Sequence, residues 1–83
     1  SMNVAPLAPF TRIKKVMANI FGIDGNLINN NSSPDNIDNW DSLKHMSLIV
    51  ALEEEFETEF SDDEIFNTMS YSLIVDALET NKL

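Results

Sequence analysis

Residues 41–66 read DSLKHMSLIVALEEEFETEFSDDEIF and carry the strongest structural signals of this 83-residue chain. Large apolar side chains recur there at every fourth position, which predicts a helix with one buried face made of Leu48, Leu52 and Phe56. Asp41 stands directly before this helix and can cap it, because its carboxylate can accept hydrogen bonds from the free amides of the first turn. We therefore expect a helix from Ser42 to about Glu57.

Two further helices are predicted downstream. Ser61 and Glu64 form a Ser-x-x-Glu capping box, which typically opens a helix, and the residues that follow allow only a short one. Ser70 can cap the last helix, whose apolar side chains recur with helical spacing at Tyr71, Ile74, Val75 and Leu78.

A first helix is predicted between Pro9, which suits a first helical position, and Gly22, a typical stop. Its apolar face consists of Phe10, Ile13, Met17, Ile20 and Phe21. Residues 22–41 lack periodicity and are rich in Asn, Asp, Ser and Gly, so they predict a long loop. We expect the apolar side chains of this loop to pack on the core, namely Leu27, Ile28, Ile37 and Trp40.

These elements together predict one all-α domain over residues 1–83, a small four-helix bundle with a long first loop and a short third helix. Residues 1–9 form an irregular lead-in, and we interpret Ser1 as a cloning remnant. The longest apolar run, Leu48 to Leu52, is far below the ~20 residues of a membrane span. Without a visible secretory signal, we expect a cytoplasmic protein.

Charge and cysteine content exclude several classes of function. The chain has no cysteine, which excludes disulfide frameworks and thiol catalysis. Its net charge is −9, and eight of the twelve residues at positions 53–64 are acidic. Nucleic-acid binding is disfavoured, because the phosphate backbone requires a basic surface. The charge favours basic partners and a monomer.

The stretch DSLKHMSLIVALEEEFETEFSDDEI resembles the second helix and following turn of acyl carrier proteins. The resemblance rests on Asp-Ser-Leu at the helix start, an apolar helix ending in acidic residues, and an acidic turn into a short helix, and it extends over residues 10–80. It implies that Ser42 receives 4′-phosphopantetheine from coenzyme A through a phosphopantetheinyl transferase. The thiol of this arm would hold acyl groups as thioesters, and the protein itself would catalyse nothing.

The resemblance also implies a docking surface on the helix that follows Ser42. Its partners would be acyl-loading ligases, synthases or transferases with basic patches, and the candidate contact residues are Asp41, Leu43, Met46, Val50, Glu53 and Glu54. Leu43, Met46 and Val50 share one face of this helix, so we expect them to form a partly exposed apolar ridge. A pocket for the acyl chain between the second and third helices would be lined by Met46, Val50, Ile65 and Phe66.

Several alternatives remain open at this point. Carriers of fatty-acid synthesis are usually acidic just after the serine, whereas Lys44, His45 and Ser47 stand there in this chain. The run from Trp40 to Leu43, followed by a histidine, looks more like the free-standing carriers of specialised pathways. An aminoacyl or peptidyl carrier is one alternative, and an unmodified acidic helical interaction module is another. We expect a surface or docking role for His45 and no catalytic triad with Asp41 and Ser42. We predict no metal site, since the calcium-like start at Asp24 lacks the later ligands.

Overall fold

The computed structural model describes residues 8–81, and the regular elements in this range are helices with a single 3-10 turn at Gly25–Leu27. The predicted four helices, with a long first connection and a short third member, are confirmed: α1 (Pro9–Phe21), α2 (Ser42–Phe56), α3 (Asp62–Phe66) and α4 (Tyr71–Asn81). Ser1 and most of the predicted lead-in lie outside the described residues. None of the described helices has the length and apolar character required to cross a membrane.

The predicted helix starts are confirmed by their hydrogen bonds. The Lys44 amide donates to Asp41 Oδ1 at 2.8 Å, which caps α2. Ser61 and Glu64 form the reciprocal capping box of α3, with distances of 3.2 and 2.8 Å. Ser70 Oγ accepts from the Leu73 amide at 3.1 Å and thereby caps α4.

Two helices end in a residue with left-handed backbone. Gly22 follows α1 with φ of 67°, a conformation that glycine adopts without steric cost. Glu57 follows α2 with φ of 52°, and this conformation is unfavourable for a residue with a Cβ atom. The predicted end of α2, at about Glu57, lies within one residue of the observed end at Phe56, whereas the strained cap has no signal in the sequence.

The core lies between α1, α2 and α4. Side chains with no measurable exposure come from all three helices, namely Ile13, Met17, Leu48, Leu52, Ile74 and Leu78. The predicted buried face of α2 is therefore confirmed, while Phe10 at the start of α1 remains 46 % exposed. α3 contributes no buried residue of its own.

The long loop is attached to the bundle through three of its four predicted apolar anchors. Ile28, Ile37 and Trp40 are buried as expected. The prediction for Leu27 is wrong, since this side chain is 67 % exposed. Leu27 ends the 3-10 turn, and its extended neighbour Ile28 points into the core instead. The Ser32 carbonyl also accepts from the Tyr71 amide at 3.0 Å, which joins the loop to α4.

Arg12 joins the beginning of α1 to the end of α2. Its guanidinium contacts the Glu55 carboxylate at 2.8 Å and donates to the Glu55 carbonyl at 2.6 Å. At the other end of this helix pair, the ring of Phe21 lies 4.8 Å from that of Trp40, just before α2 begins. α1 and α2 therefore pack antiparallel.

Candidate functional site

Ser42 is the first residue of α2 and is exposed. Asp41 caps the helix with its side chain and accepts from the His45 amide with its carbonyl at 2.8 Å. The amides of Ser42 and Leu43 have no acceptor within the helix, as is usual for the first turn. A phosphate attached to the Ser42 hydroxyl would therefore lie beside free N–H groups at the positive end of the helix dipole.

The predicted apolar ridge next to Ser42 is exposed. Leu43 is 81 % exposed, Met46 46 % and Val50 51 %. These three side chains line a shallow surface groove that also includes Glu54. Exposed apolar side chains in a row, with an acid at one end, are suited to contact with another protein.

The prediction of a surface role for His45 is wrong, because its side chain is only 4 % exposed. Its Nδ1 atom accepts from Trp40 Nε1 at 3.0 Å, and its Nε2 atom lies 2.7 Å from the Ile65 carbonyl. An indole N–H can only donate and a carbonyl can only accept, so the ring is neutral with its proton on Nε2.

A signal for this burial is present in the sequence. His45 stands three residues before Leu48 and four before Ile49, on the face of α2 that packs in the core. The partner of its Nε2 atom has no such signal in the sequence, because the Ile65 carbonyl belongs to the main chain. Thr68 Oγ1 donates to the same carbonyl at 3.0 Å, and this buried contact was also missed.

Comparison with known protein families matches residues 11–78 to the family described as phosphopantetheine attachment site. The chain belongs to this family. It is therefore a carrier domain for 4′-phosphopantetheine, as predicted, and domains of this kind are not themselves catalytic. Carrier domains in general interact with transferases and synthases. The exposed hydroxyl of Ser42 and the free amides beside it fit this prosthetic group.

The acidic residues at the end of α2 in this carrier domain are not equivalent. Glu53 Oε2 accepts from the Phe60 amide at 2.9 Å and so stabilises the turn towards α3. Glu55 is paired with Arg12. Glu54 is exposed, and its carboxylate has no hydrogen bond or ion pair within residues 8–81. Of the two acids predicted to dock partners, Glu54 is thus the more accessible.

The four residues predicted to line an acyl pocket lie at the surface of the carrier domain to different extents. Phe66 is 78 % exposed and Met46 and Val50 are about half exposed, whereas Ile65 packs partly against the core. The structure therefore shows where these side chains lie, and their contact with an acyl chain stays a prediction. Within the part of the chain that the structure describes, no three carboxylate or imidazole groups are placed to hold a metal ion.

Proposed function

We propose that Ser42 is the attachment residue and that the chain is an acyl carrier protein. The observation that supports this most directly is the position of Ser42, exposed at the first position of α2 with Asp41 capping the helix before it. Ser47 lies on the same helix and is also exposed, but it is in the second turn, away from the free amides of the helix start.

The attachment step transfers a phosphopantetheinyl group to this hydroxyl. The Ser42 Oγ atom forms a bond to the β-phosphorus of coenzyme A, and the bond from that phosphorus to the bridging oxygen breaks. The leaving group is adenosine 3′,5′-bisphosphate, and the serine proton passes to a base on the transferase. The bound arm then supplies the thiol that holds an acyl group as a thioester. This chain contributes an exposed hydroxyl and a helix start that stabilises the new phosphodiester by about 0.3–1 kcal/mol.

The ridge of Leu43, Met46 and Val50, together with Glu54, is the proposed docking surface for partner enzymes. Its exposed apolar area requires an apolar patch on the partner, and Glu54 requires a basic side chain opposite its carboxylate. Asp41 lies beside the attachment residue and would face the transferase. Because Lys44 lies only two residues after Ser42 in the first turn of α2, the partner surface would be less uniformly basic near the attachment point.

Mass spectrometry tests the attachment residue directly. The protein is incubated with coenzyme A and a broad-specificity phosphopantetheinyl transferase, and its mass is compared before and after. We expect an increase equal to one phosphopantetheinyl group in the wild type and in Ser47→Ala, and no increase in Ser42→Ala. No increase in the wild type, under conditions that modify a control carrier, would reject the carrier function and favour an unmodified interaction module.

The class of cargo is tested by loading. The modified protein is offered a fatty acid with an acyl ligase, and an amino acid with an adenylating ligase. A fatty acid or other simple acid on the arm supports the acyl carrier, in fatty-acid-like or specialised biosynthesis. Loading by the amino acid alone would support an aminoacyl carrier instead, without affecting the assignment of Ser42.

A further inference from the structure

We infer that His45 is a positioning residue, which fixes the start of α2 and the location of α3 through its two ring nitrogens. The role in carrier function rests on the proposed attachment at Ser42. The contacts themselves do not depend on that proposal. His45 is the only histidine and Trp40 the only tryptophan of the chain, so each can be followed without interference.

The Nδ1 atom of His45 holds the segment that leads to Ser42. Trp40 lies two residues before Ser42, and its buried indole N–H donates to this nitrogen. The indole ring in turn packs against Phe21 at the end of α1. The backbone around Asp41 is therefore held between a buried tryptophan and the first turn of α2, so the orientation of Ser42 depends on both.

The Nε2 atom of His45 holds α3. This helix has five residues, none of them buried, and a helix of that length is unstable by itself. The carbonyl of Ile65 lies in the last turn of α3, where it accepts no hydrogen bond from an amide of the same helix. His45 and Thr68 both donate to it, so the end of α3 is fixed to α2 by side chains. Ile65 and Phe66, two of the predicted acyl-pocket residues, would move if this contact were lost.

An apolar residue at position 45 would fill the same volume without this geometry. The indole N–H of Trp40 would then have no acceptor, and the Ile65 carbonyl would lose one of its two donors. Leaving a buried polar group unpaired is costly. The histidine is thus placed to define the positions of two neighbouring elements at once. A residue that served only to fill the core would need neither nitrogen.

Two conservative variants separate the two contacts. In His45→Asn the side-chain oxygen branches from Cγ as Nδ1 does, so it can still accept from Trp40 but cannot reach Ile65. In His45→Gln the amide nitrogen can reach the Ile65 carbonyl, while the acceptor for Trp40 is lost. His45→Phe keeps an aromatic ring and removes both contacts.

Three measurements are made on the full chain. The indole proton resonance of Trp40 reports the Nδ1 contact, and hydrogen exchange of the Ile65 and Asn67 amides reports the position of α3. Transferase kinetics report the presentation of Ser42. We expect His45→Gln to shift the indole resonance and raise the transferase KM about fivefold at unchanged kcat, because the competent arrangement is less populated. We expect His45→Asn to leave the indole resonance and the transferase KM near their wild-type values, and to accelerate amide exchange in α3 about fivefold.

The outcomes are distinguishable. Reciprocal effects of the Asn and Gln variants support the inference. If both variants alter all three readouts equally, or if His45→Phe matches the wild type, His45 merely fills the core and the inference is overturned. If the wild type is not modified at all, the proposed function fails, while the indole and exchange measurements still decide whether His45 positions the two elements.

Discussion

Arg12 binds Glu55 through both the side chain and the main chain. The guanidinium contacts the carboxylate at 2.8 Å and the carbonyl at 2.6 Å, and it lies 4.3 Å from the centre of the Phe56 ring. Both side chains are partly exposed, so the ion pair alone would contribute little. The carbonyl bond and the aromatic contact add to it, because they hold the guanidinium in one orientation.

Arg12→Ala is therefore expected to lower the free energy of unfolding by about 1–2 kcal/mol. Urea denaturation measures this value. Lys15→Ala removes the same charge from an exposed position of α1 and should change stability by less than about 0.5 kcal/mol. Equal effects of the two variants would show that only the charge matters. Modification of Ser42 should be unchanged in both.

Glu57→Gly is expected to stabilise the protein. Glu57 has φ of 52°, and glycine adopts this conformation without the clash of a Cβ atom. The unfolded chain becomes more flexible, which offsets part of the effect, so we expect a net increase of about 0.5 kcal/mol. Glu59→Gly removes a nearby acid from a position without positive φ and should not stabilise. The comparison is made by thermal and urea unfolding, and a stabilised Glu59→Gly would point to charge as the cause.

The stability should decrease at alkaline pH through Tyr71. Burial raises the pKa of this phenol, because the charged form is poorly solvated in the folded protein. The contribution of Tyr71 to the free energy of unfolding is therefore fully present below the unfolded-chain pKa of about 10. It is lost as the pH rises from there through the higher pKa of the folded state. The free energy of unfolding of the wild type should fall more steeply above about pH 10 than that of Tyr71→Phe. Parallel pH profiles would contradict this, since lysine titration is common to both proteins.

Leu43→Ala is expected to impair docking without changing stability. Leu43 is 81 % exposed on the proposed docking surface, and Leu27 is 67 % exposed in the long loop, outside the groove that Leu43 lines. Both alanine variants should retain wild-type stability within about 0.5 kcal/mol. Only Leu43→Ala should raise the KM of the transferase, and an equal effect of Leu27→Ala would argue against a specific docking surface.

Glu54→Gln should weaken partner binding more than Glu53→Gln at low salt. Glu54 faces solvent, whereas the Glu53 carboxylate already accepts from the Phe60 amide. We expect Glu54→Gln to raise the transferase KM about two- to fivefold, an effect that declines as salt is added. Glu53→Gln should instead lower stability. A salt-independent KM for the wild type would mean that the acidic stretch is a solvated surface only.

The helices could be predicted because their signals are local. The repeat of Leu48, Leu52 and Phe56 and the capping box at Ser61 each lie within one helix or one turn, and the structure confirms both. His45 and Leu27 were predicted wrongly for a different reason. The helical spacing places His45 on the buried face of α2, but it does not show the partners that make a buried histidine favourable, here the Trp40 indole and the main-chain carbonyl of Ile65. For Leu27, a three-residue turn decides which loop side chain faces inwards.

In the candidate site, too, the features that lie within one helix could be predicted, whereas those that depend on contacts between distant residues could not. The position of Ser42 at the helix start, the cap at Asp41 and the exposure of the Leu43 ridge follow from the pattern of one helix, whereas the role of Ser42 was inferred from the resemblance and stays a prediction. The difference between Glu53, Glu54 and Glu55 does not, because it arises from contacts with Phe60 and Arg12 that form only when the chain folds.

The antiparallel packing of α1 and α2 has a consequence for how the protein could be immobilised or fused. Arg12 lies at the end of α2 that is furthest from Ser42, and α2 spans fifteen residues, about 22 Å along its axis. A surface, fluorophore or second protein coupled at the beginning of α1 would therefore be attached at the pole opposite the serine. Such a tether leaves the half of the molecule that contains the proposed attachment residue Ser42 accessible to partner enzymes.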